Sequence, residues 1–267
     1  MRLTLGGNMV TPLVLMLNRW YFDKTEYVEQ GYTNFDVMCI GAAGGYGGGL
    51  AVPTSTPKVR VYGGAPGGGG VHRMRGLLSQ LPIRSDVTVG APGEDAPDNT
   101  TRTLTGLELG EDGGASSFAD GLCRASGGKG GGKAQGINYD SAGGLGGLGG
   151  IGNSITAGGG MVDYWDGSVG SGGRGGNGGS ADWDASSAAT VATDGARGAY
   201  NVDDQSVSGP AGLAGNDPIN NQCLIIPGPG GGANINELTG MDAFFGSRAQ
   251  GCDPSGLVII RLTAGLS

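Results

Sequence analysis

Gly143-Gly144-Leu145-Gly146-Gly147-Leu148-Gly149-Gly150-Ile151-Gly152 repeats every three residues: two glycines, then one aliphatic side chain. Ser171-Gly172-Gly173-Arg174-Gly175-Gly176-Asn177-Gly178-Gly179-Ser180 keeps the same period with a polar third position. Three matches neither the 3.6 of an α-helix nor the 2 of a strand. It matches the extended polyproline-II-type helix, which has three residues per turn and no internal hydrogen bonds. Leu145, Leu148 and Ile151 then share one edge at intervals of roughly 9 Å, and the other two edges are bare backbone. Bare N–H and C=O groups need partners, and glycine has no Cβ to hold a neighbouring backbone away. Such helices are expected to pack side by side and bond laterally, with the aliphatic edge inward and the Arg174/Asn177 edge toward water. The alternative is a flexible glycine-rich linker.

Composition bears on that choice. The chain has 61 Gly and 12 Pro in 267 residues, a bias usually associated with disorder. Yet 37% of it is hydrophobic and only 15% charged, the reverse of a disordered composition. A net charge of −8, with 16 scattered Lys and Arg, argues against nucleic acid and against anionic membrane surfaces as partners. The start, Met1 to Asn8, lacks the basic-then-apolar layout of a secretion signal, and Leu13–Leu17 is too short to cross a bilayer, so synthesis in a cytoplasm without membrane insertion is expected.

Leu13–Leu17 and Phe35–Ile40 read as strands, and residues 1–40 hold Trp20, Tyr21, Phe22, Tyr27, Tyr32 and Phe35. Residues 1–40 are expected to form a small β-rich base. Residues 41–267 are expected to form a glycine-rich domain of stacked polyglycine-II helices, with loops projecting at 161–169 and 181–208. Val71–Leu81 fits a strand or a broken helix, Ser85–Gly90 alternates as a strand, and Leu257–Leu262 closes the fold as another. The fold class is mostly irregular and β, a glycine-rich sandwich without long helices.

Four segments, in order, carry a resemblance. They are Asp36-Val37-Met38-Cys39-Ile40-Gly41-Ala42-Ala43-Gly44-Gly45, Val87-Thr88-Val89-Gly90-Ala91-Pro92-Gly93, Gly114-Ala115-Ser116-Ser117-Phe118 with Ala125-Ser126-Gly127-Gly128, and Gly256-Leu257-Val258-Ile259-Ile260-Arg261. Together they resemble the glycine-rich minor tail proteins of tailed bacteriophages, especially the actinobacteriophage type, and polyglycine-II tail-fibre adhesins in style. The likeness spans about residues 33–262 and not the first 32 residues; glycine-rich domains of some animal receptor kinases look alike too. It implies a virion protein of the tail tip or fibre tip, assembled in the host cytoplasm. Its implied partners are other phage tail proteins and a bacterial cell-surface glycan as receptor, with a homotrimer as one assembly. Two other readings stand beside it: a purely structural tail-tip component, and a glycine-rich extracellular or ice-binding protein, although no threonine rows are visible.

Within the loops, Tyr164, Trp165 and Trp183 sit among Asp163, Asp166, Asp182 and Asp184. Aromatic faces stack on sugar C–H faces and carboxylates accept sugar hydroxyls, so this set is the candidate glycan site; the plainer reading is that the rings only anchor the loops. Trp20, Tyr21, Phe22, Tyr27 and Tyr32 form a candidate attachment or oligomer interface. Nothing sets two carboxyls at a glycosidase separation. Asp194, Asp203 and Asp204 lack the spacing of a calcium loop. Gly41–Gly45 is followed by more glycine rather than by the helix a dinucleotide turn requires. His72 reads as an exposed structural histidine. Cys39 reads as a small buried hydrophobe, and Cys39, Cys123, Cys223 and Cys252 lack zinc spacing. Cys223 and Cys252 are open to pairing, with reduced, buried thiols the expected state. No enzyme, metal or cofactor is expected.

Overall fold

The computed structural model describes residues 10–18, 20–52, 59–61, 63–101, 103, 105–134, 147, 162–163, 213–216, 223–226, 229–230 and 233–265. Its strands in chain order are β1 (Leu13–Met16), β2 (Tyr21–Asp23), β3 (Asn34–Ile40), β4 (Leu50–Val52), β5 (Val59–Val61), β6 (Val71–Leu77), β7 (Arg84–Thr88) and β8 (Ser116–Phe118). They continue with β9 (Cys123–Ala125), β10 (Val162–Asp163), β11 (Leu213–Asn216), β12 (Cys223–Ile226), β13 (Ala233–Asn234), β14 (Phe244–Phe245) and β15 (Leu257–Thr263). Among the described residues helix is confined to two single turns, Thr25–Val28 and Asn236–Thr239, and a 3-10 turn at Leu78–Gln80. Among the described residues no helix is long and apolar enough to cross a membrane.

Among the described residues the two larger sheets are antiparallel, one ordered β1-β15-β3-β6-β10 and one ordered β2-β7-β8-β9, beside the two-stranded pairs β4-β5, β11-β12 and β13-β14. Their facing side chains make the main core. Val37, Cys39, Met74, Val258 and Ile260 from the first meet Phe22, Val87, Phe118 and Cys123 from the second. Phe118 lies at the centre, with ring centroids 5.8 Å from Phe22 and 6.5 Å from Phe35. The base expected within residues 1–40 thus also draws strands from residues 71–88, 116–125 and 257–263.

Glycine begins where the sandwich ends. β3 runs straight into segment 41–49, β7 leads into 90–99 and β9 into 126–134; segments 63–70 and 107–114 run into β6 and β8. Side chains hold packed sheets about 10 Å apart. Without them the backbones close up and bond across the former gap. Segment 41–49 is the hub, and its bonds repeat every three residues. Gly41, Gly44 and Gly47 donate to the carbonyls of Gly70, Gly67 and Gly64, at 2.8, 3.1 and 3.0 Å. Ala42, Gly45 and Gly48 donate to Gly114, Glu111 and Glu108 at 3.0, 2.8 and 3.0 Å, and their carbonyls accept from Gly128, Gly131 and Ala134 at 2.9 Å each. On the third edge the carbonyls of Ala43, Tyr46 and Gly49 accept from Gly93, Ala96 and Asn99. The N–H groups of that edge donate to Pro254 O, Asp95 Oδ1 and Asp98 Oδ1, at 2.8 Å each. Every N–H from Gly41 to Gly49 is therefore satisfied, so the buried extended backbone leaves no orphan donor.

This is the stacked glycine-helix array expected from the period-three reading, built here mainly from segments 41–49, 63–70, 90–99, 107–114 and 126–134. The runs that signalled it, 143–152 and 171–180, lie outside the described residues except for Gly147. That glycine is buried and donates to Ala65 O at 2.8 Å, placing it in the array. The spacing is too close for side chains: a Cβ on Gly131 would stand 1.8 Å from Gly64 O.

Candidate functional site

The outward face of the five-stranded sheet follows from alternation along its strands. Phe35, Val37 and Cys39 point into the core; Asn34, Asp36, Met38 and Ile40 line the opposite face. The register lays cross-strand rows over that face: Thr263, Asn34 and Leu77; then Arg261, Asp36 and Arg75; then Ile259, Met38 and Arg73. Toward the lattice the face is covered by Ala233, Ile235 and Leu238, which pack on Met38, Ile40, Val71 and Ile259. Toward the other end it opens into a groove of about 390 Å³ lined by Asn34, Asp36, Arg75, Leu77, Arg261 and Thr263.

Asp36 lies there between arginines of the two flanking strands. Arg73, 3% exposed, donates from Nε to Asp36 Oδ1 at 2.8 Å and from Nη2 to Asp36 Oδ2 at 2.7 Å, the two-pronged geometry that makes such pairs strong. Arg75 is exposed and Arg261 half-buried. Among the described residues the Arg261 side chain makes no hydrogen bond or ion pair. The groove is thus a cationic spot on a chain of net charge −8. The residues were missed in the sequence, but the signal was present: Arg73 and Arg75 stand two apart in a strand and must share a face.

Of the glycan-site residues, Asp163 is placed on the edge of this sheet. β10 pairs with β6, setting Val162 opposite Arg75 and Asp163 opposite Met74. Tyr164, Trp165, Asp166, Asp182, Trp183 and Asp184 lie outside the described residues, as do Asp194, Asp203 and Asp204.

The aromatic set from the first forty residues divides. Phe22 and Tyr32 are 2% and 7% exposed and belong to the core. Tyr27 stacks on Phe22 with centroids 5.1 Å apart, and the Tyr32 hydroxyl donates to Thr11 O. Trp20, 88% exposed, and Tyr21, with the Arg84 guanidinium 3.7 Å over its ring, are the members at the surface. The reason is the strand period: β2 alternates, so Phe22 must face opposite to Tyr21.

His72 is buried, 1% exposed, which corrects the expectation of an exposed histidine. It sits on the inner side of β6 and accepts the Arg124 N–H at Nδ1. Cys39 and Cys123 are free, fully buried thiols beside it; Cys39 donates to Cys123 O and Cys123 to His72 O. Burial first, and then the neighbouring Cys123, push the Cys39 thiol well above its usual range, as suits a core residue. Cys252 is also a free thiol. Among the described residues no three His, Cys, Asp or Glu side chains group as a metal-ligand set.

A family model described as a glycine-rich domain matches residues 23–263. No curated protein matches the chain.

Proposed function

The chain belongs to the glycine-rich domain family, and from that premise we propose that it is a non-enzymatic recognition protein of a bacteriophage tail tip or tail-fibre tip. The observation that carries the reading is the glycine array. Its backbone hydrogen bonds run between segments in every lateral direction, giving a stiff frame of little side-chain chemistry of its own. A frame of that kind leaves recognition to whatever chain is inserted into it. The sequence between Gly147, which donates to Ala65 O, and Gly230, which donates to Pro66 O, is the candidate recognition segment. It carries Asp163, Tyr164, Trp165, Asp166, Asp182, Trp183 and Asp184, the aromatic and acidic mixture suited to a cell-surface glycan. The four ordered segments resembling phage minor tail proteins supply the phage context. Trp20 and Tyr21, exposed on one edge, are the residues offered to neighbouring tail proteins.

The test is binding of the fluorescently tagged protein to intact cells from a panel of bacteria. Saturable binding to one host group, competed by its surface glycan and weakened by Trp165→Ala and Trp183→Ala, supports the proposal. A folded protein that binds no host, including one that supports the phage, refutes the recognition role and leaves a structural part of the tail.

A further inference from the structure

We propose that the groove around Arg75 and Arg261 binds the phosphate or carboxylate groups of an anionic glycan polymer; this names the ligand class within the host-recognition reading and rests on that reading for its cellular source. Four observations converge on it. The groove is concave, and its lining includes an amide, a hydroxyl and two guanidinium groups, at Asn34, Thr263, Arg75 and Arg261. Asp36, a carboxylate in the lining, is engaged by both prongs of the nearly buried Arg73. Arg261, half removed from water, makes no ion pair among the described residues, so a partly desolvated cation faces the groove without a compensating anion. The rest of the chain is acidic, and that fixes where an anion is attracted.

The size of the groove favours a polymer over a single ion. β15 and β6 flank β3, so Arg261 and Arg75 stand on either side of Asp36. The groove's volume of about 390 Å³ exceeds that of one phosphate or carboxylate group and has room for successive charged groups along a chain. Guanidinium forks match both oxyanions.

The experiment uses the full chain and three soluble probes of equal length: a glycerol-phosphate oligomer, an oligogalacturonate and a neutral glucose oligomer. Binding is followed by calorimetry at low and high salt. Salt-sensitive binding of either charged oligomer but not of the neutral one, reduced about tenfold or more in Arg261→Gln and further in the Arg75→Gln/Arg261→Gln pair, supports the groove; which oligomer binds identifies the source. Arg261→Lys, keeping the charge but not the fork, is expected to fall between. Circular dichroism and thermal unfolding of each variant separate loss of the site from loss of the fold. The inference is overturned if neither charged oligomer binds, or if the double variant, still folded, binds as wild type does. Cell binding unchanged in that double variant overturns the groove and leaves host recognition standing. Arginine-dependent oligomer binding by a protein that binds no cells supports the groove and removes the host-recognition reading.

Discussion

Gly45→Ala tests the array at its hub. An ordinary glycine-to-alanine change at a compatible extended position stabilises a protein by about 0.4–1 kcal/mol, through the unfolded chain. Here the added Cβ would stand 1.8 Å from Glu94 O, against the 3.0 Å that real Cβ contacts respect. The obstacle is backbone, so segment 90–99 must move off the hub by about an ångström. Three main-chain bonds join the two, Gly93 to Ala43, Ala96 to Tyr46 and Asn99 to Gly49, at 2.8–2.9 Å. Two side-chain bonds add to them, Asp95 and Asp98 accepting from Tyr46 and Gly49 at 2.8 Å. Losing two or three of these, at about 1 kcal/mol each and more where a buried group is orphaned, costs about 3–5 kcal/mol. Less the unfolded-state gain, Gly45→Ala should destabilise by about 2–4 kcal/mol. Over a domain of this size that is a fall in Tm of roughly 5–15 °C by calorimetry. Gly106→Ala is the control: its φ is +84° with nothing within 4 Å, so its cost is only the left-handed backbone, about 1–2 kcal/mol. A Gly45→Ala protein with a Tm equal to or above wild type would refute the close-packed array, because a flexible linker is indifferent to that substitution and an uncrowded ordered site gains from it.

Asp36→Asn removes the carboxylate that both prongs of the nearly buried Arg73 engage and should cost about 3–5 kcal/mol in urea unfolding. Asp112→Asn, at an exposed pair with Lys129, should cost under about 1 kcal/mol. Phe118→Ala, at the centre of the aromatic core, should lose about 3–5 kcal/mol. Trp20→Ala, at an 88% exposed ring, should leave Tm unchanged and reduce incorporation into virions; normal incorporation removes Trp20 from the tail contact. Partial burial raises the Asp112 carboxyl, but the bonds from Lys129 and the Gly130 N–H, with the Lys129 charge, outweigh it and hold the group below its usual range. A depressed carboxyl contributes stability above its unfolded value of about 3.9 and loses it as pH falls through the folded value. Acid unfolding curves should therefore be shallower in Asp112→Asn, and identical curves would count against the bond.

The residues legible from sequence were those whose role is local. Short apolar runs placed β1, β3 and β15, alternation placed β7, and Cys39 was correctly read as a buried apolar residue. Residues whose role depends on a distant partner were not legible. Phe22 and Trp20 are both aromatic and close in sequence, yet one is core and the other surface. His72 looked isolated because Arg124, which donates to it, is far along the chain. Segment 90–99, rich in Pro, Asp and Glu, carries little of the glycine signature. It joins the array through Gly93, Ala96 and Asn99, with its acidic side chains taking donors that glycine neighbours take elsewhere.

By itself the sequence determined that this chain has a backbone-packed array. A missing Cβ is a property of each glycine, and a three-residue repeat sets which edges are bare. It also determined where the side-chain core must stop, since strands such as Asn34–Ile40 run directly into glycine. Only the tertiary structure decided which backbone fills the space each glycine leaves. Gly41 meets Gly70, Ala42 meets Gly114 and Gly128, and Ala43 meets Gly93, all chosen by how two sheets stack. Strand pairing within the larger sheet set Arg75 and Arg261 on either side of Asp36. A glycine edge accepts any backbone at hydrogen-bonding distance, so its partner is set by the packing of the strands that lead into it and not by the edge itself.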